Sequence, residues 1–212
     1  SGYDAFVIGN TLDAGLHQVR EAANIPIVGI LQTALLVSST MGRNFSLIAP
    51  HKKFAPRWEE LVTRYGFGNR LVSIEYMQFT PPDLDKQFSD PSYRDRFVAQ
   101  FNAAAKLAID KGAEVVIPVG GSAILFLARN NIRVIDDVPI LDGIAYAIKM
   151  AELMVKVRQV TGVFVSRKLT YASPRWYSDF FFSRQNYRSN AARADGSQDL
   201  IGWYTRIGKS GS

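Results

Sequence analysis

The sequence predicts an α/β fold built on parallel-type sheets flanked by helices. Short β-branched runs alternate with longer segments that carry an apolar stripe at helical spacing. Successive predicted strands are separated by helices of about ten or more residues, which is the spacing of parallel strands. The order of strand, turn and helix also recurs in the second half of the chain. This recurrence indicates two similar lobes.

Each element is predicted from its own pattern. The helix at 91–111 is the clearest, because Pro91 opens it, Gly112 ends it and an apolar stripe runs along it. The strand at 114–119 has the longest β-branched run, which favours burial on both faces. The pair Pro81-Pro82 predicts a loop. In chain order the predicted elements are strand 4–9, helix 12–24, strand 25–30, a helix through 34–41, strand 45–49, helix 57–65, strand 71–76, helix 91–111 and strand 114–119.

The internal echo relates residues 3–42 to residues 113–158. Each segment reads strand, glycine-containing turn, helix, proline-containing short strand, helix. Sixteen residues separate the turn from Pro26 in the first copy, and eighteen separate it from Pro139 in the second. Open α/β sheets bind ligands at the carboxyl ends of their strands, where each copy offers a turn. The alternative stays open that parallel α/β proteins repeat this order loosely.

The composition excludes several classes of function. The 212 residues contain no cysteine and two histidines, His17 and His51, which excludes disulfides, thiolate metal sites and cysteine nucleophiles. With only two histidines, a histidine-rich metal site is not expected either, so we expect no metal. No apolar run approaches the ~20 residues that span a bilayer, and no signal-like segment opens the chain. These features predict a cytoplasmic protein without a membrane partner.

The formal net charge of +6 lies mainly at the C-terminal end. Residues 1–166 hold 17 Lys+Arg against 16 Asp+Glu, whereas residues 167–212 hold eight against three. Residues 171–212 also contain nine of the 25 aromatic residues. Such a mixture can stack on nucleic-acid bases. The favoured interpretation is a C-terminal arm that docks on its own body or on a neighbouring subunit, which predicts a homo-oligomer and no nucleic-acid partner.

Two turns are candidate anion-binding sites: Gly9-Asn10-Thr11 and Gly120-Gly121-Ser122. Each follows a predicted strand and precedes a predicted helix, whose N-terminal end attracts anions. Backbone N–H groups, with the hydroxyls of Thr11 and Ser122, would hold a carboxylate or an enolate that develops during reaction. The alternatives stay open that Asn and Thr are ordinary N-caps and that Gly-Gly is an ordinary tight turn.

Five motifs follow one another along the chain: YDAFVIGNTLDAGL at 3–16, IPIVGI at 25–30, MGRNFSLI at 41–48, GAEVVI at 112–117 and VPILDGIA at 138–145. In this order they resemble the aspartate/glutamate/hydantoin racemase superfamily, and most closely its hydantoin-racemase-like branch. The resemblance covers about residues 3–170. It implies a cofactor-free enzyme of two pseudo-symmetric α/β lobes, with the active site in the cleft between them. Family members usually carry one cysteine per lobe, and the pair exchanges a proton on opposite faces of a substrate carbon.

The resemblance also implies a domain organisation. It assigns 1–45 to the remainder of the first lobe, 46–140 to the second lobe, 141–170 to a return to the first lobe and 171–212 to the C-terminal arm. It implies that a further strand–helix–strand stretch precedes Tyr3 in the natural protein. Without such a stretch the opening strand would leave a sheet edge to cover.

The chain departs from the family pattern at both cysteine positions. The longer alignment places Asn10 at the first position, although a glutamate-racemase-like alignment places Gly9 there. Gly121 stands at the second position. Neither an amide nor a glycine exchanges a carbon-bound proton, so two-cysteine racemisation is excluded unless other residues supply the bases. This chain is similar to decarboxylases of the superfamily that keep one cysteine. It is also similar to a cysteine-less subgroup often labelled hydrogenase-maturation proteins.

His51 is the best-placed titratable residue to replace the thiols. It follows the strand at 45–49 and Pro50, where the resemblance to decarboxylase-like members places a substrate-contacting residue. An imidazole titrates near neutral pH and suits proton transfer. The alternative is that His51, Lys52 and Lys53 form a solvated loop.

The remaining candidates are weaker. Gln32 and Thr33 follow the second strand and are expected to point at the cleft. Asp142 begins the matching turn of the second copy, with the alternative that it only caps its helix. His17 is expected at the surface of its helix.

Three functions follow, and the first is favoured. It is a cofactor-independent isomerase or lyase acting on a small carboxylate or cyclic amide, with His51 handling the proton. The second is a catalytically silent ligand-binding or assembly protein. The third, nucleic-acid binding through the C-terminal arm, is disfavoured by the nearly neutral body. The predicted substrate-binding residues are Asn10, Thr11, Gln32, Gly120, Gly121 and Ser122.

Overall fold

The computed structural model describes residues 2–172, so the predicted C-terminal arm lies almost entirely outside the described residues. The strands are β1 (Phe6–Ile8), β2 (Ile27–Gly29), β3 (Phe45–Ala49), β4 (Leu71–Tyr76), β5 (Val115–Pro118), β6 (Val134–Ile135) and β7 (Val138–Pro139). The α-helices are α1 (Leu16–Ala22), α2 (Ile30–Met41), α3 (Ala55–Arg64), α4 (Pro81–Lys86), α5 (Pro91–Asp110), α6 (Gly121–Arg129) and α7 (Gly143–Thr161).

The strands form two parallel sheets and one short hairpin. The first sheet pairs β1 with β2, with Val7 opposite Val28. The second sheet has the order β4-β3-β5, and both pairings are parallel. β6 and β7 form an antiparallel hairpin. Helices connect the parallel strands, as a parallel pairing requires, and the predicted α/β fold with helix-flanked parallel sheets is confirmed.

The second sheet is buried on both faces. Alternate residues of β3 and β5 point to opposite sides. One side, with Leu47 and Ile117, packs against α2 and α3. The other side, with Ile48 and Val116, packs against the phenylalanines of α5 and α6. The prediction of burial on both faces is therefore confirmed for residues 115–119, whereas Glu114 is exposed and lies before β5.

Helix α7 connects the second sheet back to the first. The Leu141 N–H donates to the Val116 carbonyl at 2.9 Å, which places the start of this connection beside β5. α7 then packs on α2, β1 and β2, where Ala147 and Ala151 join Val28 in one buried cluster. Residues 1–171 form one compact unit, and the lobe boundaries at 45, 140 and 170 stay predictions.

Three element predictions are wrong in detail. Helix α1 begins at Leu16, because Asp13 (φ +46°) and Gly15 (φ +78°) adopt left-handed conformations that a helix cannot include. Ile30 is the first residue of α2, although the pattern placed it in the preceding strand.

The third error concerns Pro81-Pro82, which begins helix α4 where a loop was predicted. Proline is tolerated in the first helical turn because those N–H groups have no partner within the helix. The Asp83 carboxylate accepts hydrogen bonds from the Thr80 N–H at 3.0 Å and the Thr80 hydroxyl at 2.7 Å. The Asp83 N–H donates to the Thr80 carbonyl and not to the Thr80 hydroxyl, so only one half of a capping box is present, the bond from the Thr80 N–H to the acidic side chain.

Candidate active site

The turns that follow β1 and β5 lie in direct contact. We name residues 9–15 the first turn and residues 119–122 the second turn. The Gly120 N–H donates a hydrogen bond to the Thr11 hydroxyl oxygen at 3.0 Å. Thr11 is buried, with 5% of its surface exposed. Although these residues are 109 positions apart in the chain, the carboxyl ends of the two sheets therefore meet at one place.

The second turn leads directly into helix α6. Gly120 has φ +98°, and a Cβ atom there would lie 3.2 Å from Pro50 Cγ, so both its conformation and its neighbour favour glycine. Gly121 has an ordinary φ, and a Cβ atom there would meet no heavy atom within 4 Å. Gly120 offers no side chain to cap α6. The N–H groups of the first turn of α6 are thus available to a ligand at the positive end of the helix.

The first turn is organised differently, around the buried carboxylate of Asp13. One of its oxygens accepts from the Leu31 N–H at 3.1 Å, and the other accepts from the Gln32 N–H at 2.8 Å and the Tyr65 hydroxyl at 3.0 Å. Asp13 therefore caps α2, the helix that follows β2. A Cβ atom on Gly29 would lie 2.6 Å from Asp13 Cγ, so this contact requires glycine at that position.

Burial and hydrogen bonding act in opposite directions on the Asp13 carboxyl group. Burial raises its pKa, and the hydrogen bonds from Gln32, Leu31 and Tyr65 lower it without cancelling the effect of burial. Burial and the nearby Asp13 charge also raise the pKa of Tyr65. The tyrosine hydroxyl consequently remains a hydrogen-bond donor at neutral pH. Sequence reasoning missed Asp13, whose signal is an Asp followed by Ala-Gly before an apolar helix.

Asn10 is exposed, and its side-chain oxygen is engaged within the first turn. Oδ1 accepts from the Leu12 N–H at 3.1 Å and from the Ala14 N–H at 3.4 Å. This is the local side-chain-to-backbone bonding typical of Asn in turns. Within residues 2–172, the Asn10 amide NH₂ makes no hydrogen bond to another residue, so it is the part of the side chain available to a ligand.

His51 emerges at the centre of the carboxyl edge of the second sheet. It is exposed and caps the 3₁₀ turn at 52–54, with its Nδ1 accepting from the Lys53 N–H at 3.0 Å. In the neutral ring this fixes the proton on Nε2. Pro50, which precedes His51, packs against Gly120. The histidine therefore follows a residue that contacts the second turn.

Gln32 and Ser122 have different surroundings. The Gln32 Oε1 accepts from Arg20 Nη2 at 2.6 Å, and the residue lines a cavity beside β2. Ser122 is half-buried in the first turn of α6, close to the Thr11–Gly120 contact. The structure therefore groups Thr11, Gly120, Gly121 and Ser122, and it places Gln32 in a separate environment.

A second residue that sequence reasoning missed is Gln87, which is 2% exposed. Its amide nitrogen donates to the Ser122 carbonyl at 3.4 Å, and its Oε1 has no hydrogen-bond partner within the described chain. A buried amide oxygen without a partner is costly. Gln87 follows α4, the helix that the sequence did not predict, so its proximity to Ser122 could not be anticipated.

Two other expectations concern metals and membranes. In the described part of the chain, no group of three or more His, Cys, Asp or Glu residues is arranged to hold a metal ion. No helix between residues 2 and 172 is long and apolar enough to cross a membrane.

The chain is an α/β protein with helix-flanked parallel sheets. Its candidate ligand site lies where the turns at the carboxyl ends of the two sheets are in contact. Comparison with known proteins assigns the family. A family model described as Asp/Glu/Hydantoin racemase matches residues 1–151. The chain belongs to this family, which confirms the resemblance drawn from its motifs.

Individual relatives agree with this assignment. The hydantoin racemase of Rhizobium meliloti is 32% identical over 174 residues, covering 82% of this chain and 68% of that protein. The hydantoin racemase of a Pseudomonas species is 27% identical over 173 residues, covering 82% of this chain and 65% of that protein. The chain thus spans about two thirds of the length of these relatives.

Solved structures support the fold. Allantoin racemase from Klebsiella pneumoniae superposes with a TM-score of 0.66 at 22% identity, covering 82% of this chain and 66% of that one. Allantoin racemase from Pseudomonas fluorescens gives the same TM-score and identity and covers 70% of that chain.

Proposed function

We propose that this protein is a cofactor-independent isomerase or lyase that binds a small carboxylate or cyclic amide where the two turns meet. The observation that carries the proposal is the 3.0 Å hydrogen bond from the Gly120 N–H to Thr11, which joins the two turns. Membership of the racemase family supports an isomerase-type reaction. The hydantoin racemases among its relatives favour a cyclic amide as one substrate class.

In this proposal the substrate anion is held by hydroxyl and backbone donors. The Thr11 oxygen accepts from Gly120, and its hydroxyl donates no hydrogen bond to another of residues 2–172, so it can donate to a ligand. The first N–H groups of α6, from Gly121 and Ser122, supply further donors, and the helix dipole stabilises negative charge there. Donors fixed before the reaction stabilise an enolate more than they stabilise the neutral substrate.

The proton-transfer group in this proposal is His51. Nδ1 lies beside the Lys53 N–H, so Nε2 is the ring nitrogen that faces a ligand. The imidazolium form of the ring donates its Nε2 proton, which leaves neutral imidazole. A two-thiol route would need thiols from outside these 212 residues. One donor suffices where a carboxylate leaves as CO₂, its electron pair remains on carbon as an enolate, and that carbon takes the Nε2 proton. Solvent then returns a proton to the imidazole. A single acid–base group such as His51 also suffices for an isomerisation in which the same group removes and returns the proton.

The test is incorporation of deuterium from heavy water into hydantoins, amino acids, malonates and maleate, followed by proton NMR. We expect deuterium at carbon in at least one substrate. His51→Ala and Thr11→Val should each reduce the rate by about 10²-fold or more, because the first removes the proton donor and the second removes an anion donor. The matched control is His17→Gln, which changes the other histidine and should retain the rate.

An unchanged rate in His51→Ala would assign the proton transfer to another residue. A catalytically silent ligand-binding or assembly protein is the second candidate, favoured by Asn10, whose Oδ1 is engaged in its own turn at the first cysteine position. Saturable binding of these compounds, with neither deuterium incorporation nor product, would support this candidate and contradict the first. Assembly through residues 171–212 and a cytoplasmic location stay predictions.

A further inference from the structure

A cavity of about 300 Å³ lies beside β2, away from the two turns. None of residues 9–13 or 118–122 lines it, so it is separate from the candidate active site. Its walls come from four places: the end of α1 with β2, the first turns of α2, one face of α7, and the segment at 164–171. This volume falls in the range of small-molecule sites, about 300–1,000 Å³.

The segment at 164–171 is fixed as a wall by Arg167. Its Nη1 donates to the carbonyls of Arg20 at 3.0 Å and Glu21 at 3.1 Å, and its Nη2 donates to the carbonyl of Ala23. These carbonyls lie at the C-terminal end of α1, where a cation is favoured by the helix dipole and satisfies groups that lack partners within the helix. The wall therefore has a defined structural cause.

The far end of the same wall is held by an aromatic contact. The Tyr171 hydroxyl lies 2.8 Å from His17 Nδ1, and the two rings stack with their centroids 5.9 Å apart. Tyr171 lines the cavity, whereas His17 lies behind it. The wall is thus attached to the α1 region at Arg167 and at Tyr171.

The interior of the cavity is mainly apolar and adaptable. Met150 and Met154 of α7 face Leu36 of α2 and Phe164 of the wall. Methionine side chains adjust to the shape of a ligand, and their sulfur atoms contact aromatic rings favourably. An aromatic or branched apolar group therefore suits this interior.

One cation, Arg20, lines the cavity. Its Nε donates to the Ile27 carbonyl at 3.0 Å and its Nη2 to the Gln32 Oε1 at 2.6 Å. A guanidinium has five N–H donors, so the remaining N–H groups have no acceptor within residues 2–172. Both acceptors are neutral, and no acidic side chain lines the cavity as far as the chain is described. The Asp13 carboxylate interacts electrostatically with Arg20, and its oxygens accept hydrogen bonds from α2 and Tyr65.

We propose that this cavity binds a small aromatic monocarboxylate, with its apolar part between Met154 and Phe164 and its carboxylate on Arg20. A partly buried guanidinium without an acidic partner favours an anion over a neutral ligand, because the ion pair forms in a medium less polar than water. This site does not depend on the proposed reaction, and it is tested by measuring ligand binding without any measurement of turnover.

The experiment is a titration of the full 212-residue protein with 4-fluorophenylacetate, followed by fluorine NMR. The expected result is saturable binding with a dissociation constant of about 1 mM or tighter. The neutral amide of the same compound should bind about tenfold more weakly or worse, because it cannot pair with Arg20.

Two variants test the location of the binding. Arg20→Met removes the charge and should weaken binding by about tenfold or more. Met154→Trp fills the cavity from α7 without changing Arg20 and should abolish binding. Their matched controls are Arg129→Met at the exposed end of α6 and Leu153→Trp on the exposed side of α7. Both controls should bind as the unmodified protein does.

Absence of saturation, equal affinity for the amide, or binding retained in Met154→Trp would each overturn the proposal. Arg20 also holds β2 and Gln32, so its replacement carries a risk of unfolding, which circular dichroism would reveal. In that case Met154→Trp and the comparison of acid with amide still decide. Failure of this test would leave the deuterium experiment unaffected, since that experiment concerns the two turns.

Discussion

The first turn and the second turn follow equivalent strands, but they are built in different ways. Two residues, 119 and 120, connect β5 to α6 in the second turn, and its two glycines leave the N-terminal end of that helix open. The first turn requires seven residues to reach α1, and its buried Asp13 reaches across to cap α2. A repeated order of elements therefore does not make the two turns chemically equivalent. One turn leaves its backbone donors available, and the other uses a side chain to hold the fold together.

The largest effect that distinguishes the turns is expected from Asp13→Ala. This change leaves two N–H groups of α2 and the Tyr65 hydroxyl without their buried acceptor, which should lower the free energy of unfolding by about 3 kcal/mol. The matched control is Asp142→Ala at the start of α7, where the side chain accepts one backbone N–H, from Ala145 at 3.0 Å. The control should lose about 1 kcal/mol. Urea denaturation measures both, and equal losses would mean that Asp13 acts as an ordinary cap.

The same carboxylate gives a dependence on pH. Because burial raises the pKa of Asp13 in the folded protein, the folded state binds the proton more tightly than the unfolded state does. The stability from this group is fully present below its ordinary pKa of 3.8 and is lost as the pH rises through the raised value. The difference in unfolding free energy between the unmodified protein and Asp13→Asn should therefore decrease as the pH rises through this window. A difference that grew with pH would contradict the raised pKa.

The next effect compares two adjacent glycines of the second turn. Gly120→Ala places a side chain at φ +98° and a Cβ atom 3.2 Å from Pro50, which should cost about 2 kcal/mol of stability. Gly121→Ala, its matched control, places a Cβ atom in open space within a helix and should be neutral or stabilising by up to about 1 kcal/mol. Thermal unfolding of both variants measures the contrast. Similar stabilities would show that the second turn tolerates side chains at either position.

Local sequence patterns predicted most of the fold. The bounds of β3 and β4 agree with the predicted strands. Helix α5 was predicted because Pro91 marks its start and Gly112 follows its end. Helix α1 was predicted to start too early. Asp13 stays outside the helix because its carboxylate binds the Leu31 N–H of α2, eighteen residues away. A pattern read over a short window cannot include such a contact.

The candidate site stays a prediction, although the structure brings its two turns together. The internal echo was the reason for choosing the two turns, and the hydrogen bond between them is a tertiary contact that no local pattern contains. Asp13 and Gln87 were missed because their significance depends on burial, which the residue type alone does not indicate. For Gln32, position after a strand suggested the cleft, whereas its neighbour Arg20 determines its orientation toward another cavity.

The smallest effect concerns His17 in α1, the helix after the first turn. Helix α6, which follows the second turn, contains no histidine and offers no counterpart. Burial lowers the pKa of His17, the charges of Arg20 and Arg64 lower it further, and Asp13 opposes them. The folded protein therefore binds this proton less tightly than the unfolded chain does. Stability from this group is fully present above pH 6.5 and decreases as the pH falls through the lowered value.

Replacing the ring should remove this dependence. We expect urea denaturation of His17→Gln to show a weaker loss of stability below pH 6.5 than the unmodified protein shows. Tyr171→Phe is the matched control, because it removes the hydroxyl that lies 2.8 Å from Nδ1 and leaves the arginine charges in place. Its dependence on pH should be retained. If NMR titration placed the His17 pKa at or above 6.5, the Asp13 charge would outweigh burial and both arginines, and the buried carboxylate of the first turn would be ionised and dominant.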